Sequence, residues 1–125
     1  MERRTKGQIE AAITAAMTQF EREYLGRGPR EARTFLIEDL VLVRLKGILS
    51  PAELQLSREP GGVAMIKTMR SRLVESCAPA LTDLIATETG ATVVSMHADI
   101  SATTGERIFV FALEAPPEVT AATSS

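Results

Sequence analysis

Read from the amino terminus, the apolar positions first recur at spacings of three and four. Ile9, Ala12, Ile13, Ala16, Met17, Phe20 and Tyr24 fall on one stripe and predict an amphipathic helix. Thr5 and Gln8 have the spacing of a capping box at its start. Gly26 and Gly28 supply left-handed backbone at its end, and Pro29 forbids continuation. The pattern then changes. Residues 34–46 are rich in β-branched and large apolar side chains and too short for two helices, which predicts two strands turning at Glu38-Asp39. Ser50-Pro51-Ala52-Glu53 is a helix start: a capping serine, a proline at the first helical position, and a glutamate three residues after the cap. That match to cap geometry accounts for Ser50 and Glu53 without catalysis.

Glu59-Pro60-Gly61-Gly62 breaks this short helix, and a longer one follows, with Val63, Ile66, Leu73, Cys77, Leu81 and Ile85 near one face. Unbroken from Gly62 to Glu88 it would be about 40 Å long, more than a domain of this size spans. Either it breaks at Pro79 or it reaches onto another subunit. Residues 92–100 alternate, with Val94, Met96, Ala98 and Ile100 on one face and Val93, Ser95, His97 and Asp99 on the other. Arg107 to Leu113 is the last strand. The chain is therefore predicted to be α+β, in the order α-β-β-α-α-β-β. Two hairpins form one four-stranded antiparallel sheet, packed with helices, in a single domain over residues 1–113. Residues 114–125, with Pro116, Pro117 and a Thr/Ala/Ser run, are predicted to form a disordered tail.

The strands also carry an expectation about assembly. Phe109, Phe111 and Leu113 share one face of the last strand, while Ile108, Val110 and Ala112 occupy the other. Leu40 and Leu42 oppose Val41, Val43 and Leu45 in the same way. A sheet with one wet face alternates apolar and polar positions, and this one does not. A homodimer or higher homo-oligomer, in which a second copy covers the far face, is the leading expectation. The alternative is that the short helix after Ser50 folds over that side.

Composition narrows the function. In 125 residues, 14 Lys and Arg stand against 16 Asp and Glu, for a net charge of -2, and aromatics are 4% with no Trp. Neither the basic surface nor the stacking platforms of a nucleic-acid binder are present. A single Cys excludes an internal disulfide, and a single His excludes a multi-His metal site in one chain. No apolar run approaches the roughly 20 residues of a membrane span, and the start lacks a signal-peptide core. A cytoplasmic protein without membrane insertion, cofactor or metal is the expectation.

The charge is uneven. Through Gly47 there are nine Lys and Arg against seven acids, and after it five against nine. The excess surrounds the segment Gly26-Arg27-Gly28-Pro29-Arg30-Glu31-Ala32-Arg33, where two glycines permit close approach and three arginines offer forked donors. Arg27, Gly28 and Arg30, with Arg44 and Lys46 on the adjacent strand, form a candidate anion site, although no phosphate-loop pattern is present. His97 and Asp99 project to one side, and Glu106 and Arg107 begin the paired strand. These four form a candidate polar cluster, read either as structural or as an acid–base set of an enzyme. No nucleophile accompanies it, since Cys77 sits on an apolar stripe. The leading reading is accordingly non-enzymatic.

Three stretches together resemble a known family. They are Phe20 to Pro29, Val43 to Glu53, and His97-Ala98-Asp99-Ile100-Ser101 with Thr104-Gly105-Glu106-Arg107. The chain from Lys6 to Leu113 resembles the MpsC family, formerly a domain of unknown function, whose label refers to a sodium-translocating membrane-potential-generating system. The resemblance implies an accessory or regulatory role beside a sodium or bicarbonate transport system, with a membrane-transport protein as partner. It implies no catalytic mechanism. Helix–hairpin–helix–strand orders also occur in RNA-binding folds, which leaves an RNA-binding module as a further alternative, disfavoured by charge.

Overall fold

The structure, a computed structural model, describes residues 4–120. The elements are α1 (Lys6–Tyr24), β1 (Glu31–Ile37), β2 (Leu40–Lys46), α2 (Pro51–Leu56), α3 (Gly62–Ser76), α4 (Ala78–Thr89), β3 (Val93–Ser101) and β4 (Glu106–Leu113). The four strands make one antiparallel sheet in the order β1-β2-β4-β3, so the fold is α+β with the predicted element order.

Both capping boxes form. Thr5 accepts from the Gln8 amide and Gln8 reaches back to the Thr5 amide; Ser50 and Glu53 do the same for α2. The long helical stretch breaks at Cys77, two residues before Pro79. The proline lies in the first turn of α4, where its missing N–H costs nothing. The β1–β2 turn is closed by Glu38, which adopts a left-handed φ of 55° usually left to glycine.

Every fully buried strand residue lies on one face of the sheet: Thr34, Leu36, Val41, Val43 and Leu45 from the first hairpin, and Ile100, Arg107, Phe109, Phe111 and Leu113 from the second. Ile9, Ile13 and Met17 of α1, Ile66 and Val74 of α3, and Leu81 and Ile85 of α4 pack onto that face. Three elements, α1, α3 and β3, depart in places from the sequence pattern. Tyr24 is exposed while Glu21, one helical turn after Met17, is fully buried. In α3 the buried stripe is Ile66-Arg70-Val74, and Val63 and Leu73 face out. A register shift between Val93 and Ser95 turns Val93 toward Leu113 in the core and leaves Val94 exposed.

Of the predicted tail, 121–125 lie outside the described residues. Residues 114–120 contain neither helix nor strand, but Pro117 is buried and the Thr120 amide donates to the Arg4 carbonyl.

Among the described residues, the opposite face of the sheet carries no helix. The short helix α2 packs against α3 and does not cover it. Phe35, Leu42, Ile108 and Val110 stay half-buried there, and Ile37 and Leu40 are exposed.

Candidate functional site

The loop after α1 is held from beneath by Arg70. From the buried stripe of α3 this side chain donates to the Leu25 carbonyl (2.8 Å), to the Ile48 carbonyl (3.3 Å) and through two nitrogens to the Glu53 carboxylate (2.8 and 2.6 Å). One guanidinium thus ties together the end of α1, the strand-to-helix connection and the cap of α2. Burial alone would raise the Glu53 pKa. The hydrogen bonds from Arg70 and Ser50, with the charge of Arg70, overcome it and lower the value to about 2.

Beside it lies a second buried pair. Glu21 and Arg107 are 0% and 1% exposed, and their nearest charged atoms are 3.6 Å apart. Neither Glu21 oxygen, nor Nε or Nη2 of Arg107, has a hydrogen-bond partner among the described residues. Burial raises the Glu21 pKa, opposed by the charges of Arg107 and Arg70; burial likewise lowers that of Arg107, opposed first by Glu21.

Around this anchor, the candidate anion residues divide. Gly28 lies against Arg22, whose guanidinium stands 3.4 Å from where a Cβ would be. At Gly47 a Cβ would come within 2.4 Å of Arg30 Nε, so glycine there lets Arg30 lie across the backbone. The Arg30 amide donates to the Lys46 carbonyl at 2.8 Å. Arg27 and Arg30 are exposed and form no ion pair among the described residues. Arg44 and Lys46, in contrast, project from the helix-free face. There Arg44 Nε donates to Glu106 at 2.6 Å, and Lys46 lies 3.8 Å from Glu31.

The polar cluster divides as well. His97, Asp99 and Glu106 lie on the helix-free face, but Arg107 points to the other side, because consecutive strand residues alternate. Arg107 nonetheless lines one cleft together with His97 and Asp99, at the β3 edge. Asp99 instead meets Lys67 of α3 at 3.2 Å. The Ile100 amide, then Lys67, lower the Asp99 pKa. His97 is exposed and unpaired among the described residues. A cleft of about 360 Å³ between α3 and β3 is lined by His97, Asp99, Arg107, Ser71 and Glu75, and neither Arg27 nor Arg30 reaches it. The glycine-rich loop and the His97 region therefore do not close over one cavity.

Sequence reasoning missed Glu21 and Arg70. Both sit at i+4 from apolar residues on each side of their helical stripes, a spacing that pointed inward despite the charge. Arg33 lies on the helix-free face with its guanidinium 4.9 Å above the Phe35 ring.

Among the described residues, no helix is long and apolar enough to cross a membrane. No solved structure matches the chain. It is 45% identical over 111 residues to the uncharacterized protein YbcI of Bacillus subtilis (strain 168), an alignment covering 89% of this chain and 90% of that protein. The profile described as Na+-translocating membrane potential-generating system (MpsC) matches residues 5–115, and with that extent of match the chain belongs to the MpsC family.

Proposed function

We propose that this protein is a non-enzymatic, self-associating cytoplasmic subunit. In this reading it serves as an accessory or regulatory component beside a sodium or bicarbonate transport system. The observation that carries self-association is the face of the sheet that, among the described residues, carries no helix and is apolar at its middle. At the β1 edge one strand amide is engaged, that of Leu36, which donates to Glu10 of α1 at 2.7 Å. An apolar sheet face of this kind favours a closed pairing of faces. The family description supports the link to a membrane ion system.

Sedimentation equilibrium at micromolar concentration tests this. The protein is expected to be a dimer or higher closed oligomer. Leu42→Glu or Val110→Glu, on the uncovered face and away from the core, should yield folded monomer. A wild-type monomer at 100 μM would remove the proposal.

A second activity, small-anion binding at the loop, is favoured by the uncompensated Arg27 and Arg30 beside the close backbone approach at Gly28. Titration calorimetry with phosphate and with bicarbonate should show binding that Arg27→Ala and Arg30→Ala each weaken at least tenfold. Unchanged affinity in both variants would sink the loop as a site.

A further inference from the structure

The strand register fixes how two copies fit. The helix-free face is a grid of four columns, β1-β2-β4-β3, and the residues across it form rows. One row reads Arg33, Arg44, Ile108, Asp99; the next reads Phe35, Leu42, Val110, His97. A third reads Ile37, Leu40, Ala112, Ser95. At the end beyond Arg33 stand Glu31 and Lys46 on one hairpin and Glu106 and Ser101 on the other. Three cations, Arg33, Arg44 and Lys46, with one acid, Glu31, stand on the β1–β2 side, and two acids, Asp99 and Glu106, stand on the β4–β3 side, with mainly apolar rows between them and the turn end. Within the chain Lys46 already lies near Glu31, Arg44 near Glu106 and Lys67 near Asp99, whereas Arg33 has no ion pair among the described residues.

Sheets that stack with aligned strands can be related by a two-fold axis along the strands or across them. An axis across the strands reverses the order of rows. Arg33 then lands on the partner's Phe35 and Asp99 on the partner's His97, while the outermost charges meet the third, apolar row. Those charges would lose water without gaining counter-charges. An axis along the strands keeps each row on itself and lays β1 over β3 and β2 over β4. Arg33 then faces the partner's Asp99, Lys46 faces the partner's Glu106, and Leu42 meets the partner's Val110. The usual angle of about 30° between packed sheets displaces the outer strands by about one residue, within reach of an arginine. Arg33 already lies over the Phe35 ring, held above the face.

We infer that the partner of this face is a second copy of the chain, packed face to face about a two-fold axis parallel to the strands, with Arg33 of each copy paired to Asp99 of the other. The inference rests on the self-association reading above and adds its geometry. With strands about 4.8 Å apart and a rise of about 3.3 Å per residue, the grid measures about 500 Å² on each copy. The sum of about 1,000 Å² lies at the lower limit for a specific interface, which predicts a micromolar dimer sensitive to single charges.

Charge reversal tests it. Arg33 and Asp99 are both exposed, so Arg33→Glu and Asp99→Arg should fold. Each variant alone places like charges at both symmetric contacts and should weaken dimerisation ten- to a hundredfold. Mixing the two creates a heterodimer in which one contact is native and the other reversed but attractive. The mixture should therefore dimerise within about threefold of wild type, as should the Arg33→Glu/Asp99→Arg double variant. Within one chain the two positions are three strand spacings apart, about 14 Å, so rescue inside a subunit is ruled out. Measured by sedimentation velocity, a wild-type dimer whose reversals neither weaken nor rescue would overturn this geometry while leaving self-association intact. A wild-type monomer would overturn both.

Discussion

Four charged residues at the centre, Glu21, Glu53, Arg70 and Arg107, show how differently buried ions behave when hydrogen bonding differs. Arg70 spends its donors on two carbonyls and a carboxylate, so its burial is compensated. The Glu21–Arg107 pair has proximity, but among the described residues no hydrogen bond joins its two members, the situation in which desolvation competes with attraction. The contrast makes Glu53 the residue to test. Its folded pKa of about 2 lies below the ordinary 4.5, so its stabilisation is complete above about pH 4.5 and is lost as pH falls toward 2. Glu53→Gln keeps a capping side chain at that position but removes the charge opposite buried Arg70. It should cost about 2–3 kcal/mol at pH 7 in urea unfolding. Protonation brings the wild type toward the variant, so that difference should shrink as pH falls to 3. A difference constant from pH 7 to 3 would refute the assignment of the pair as the source.

At the scale of elements, legibility followed local chemistry. Both capping boxes, the glycine-ended first helix, the tight turn at Glu38-Asp39 and the alternation of β4 were readable because each depends on a few neighbouring residues. The helix break was half-readable: Pro79 announced it, but the discontinuity falls at Cys77, since the ring obstructs the turn before it. The face assignment of Val94 failed, because one extra residue at the bulge inverts the alternation and the sequence carries no glycine to mark it. Glu21 and Arg70 were overlooked because charge was taken to mean surface, whereas each is buried beside a charge from a distant element. The candidate site was legible as residue types and not as groupings. Arg107 starts from the opposite face of the sheet to His97 and Asp99 and meets them only at a cleft on the β3 edge, and Arg44 and Lys46 parted from Arg27 and Arg30 because the strand turns them onto the far face. The charge grid needed the order β1-β2-β4-β3, which no local pattern encodes.

At the scale of the whole molecule, the division between faces determines what self-association does to stability. The core formed by α1, α3, α4 and one face of the sheet is complete within one chain. On the proposed pairing, a subunit is expected to fold without its partner, and pairing to add stability by mass action on the native state. A tenfold rise in concentration stabilises a dimer by about 1.4 kcal/mol, or about 0.7 kcal/mol per subunit. With an unfolding entropy of about 2.1 cal/mol/K per residue, 125 residues correspond to about 0.26 kcal/mol/K. The melting temperature of the wild type should therefore rise by about 3 °C for each tenfold increase in concentration above its dissociation constant. Leu42→Glu should melt at one temperature throughout, with an unfolding enthalpy per subunit close to that of the dilute wild type. Calorimetry from 5 to 500 μM distinguishes the cases. A melting temperature of the wild type independent of concentration would contradict pairing of native subunits. A Leu42→Glu variant with no cooperative transition would instead show that the sheet's second face is needed for the fold itself.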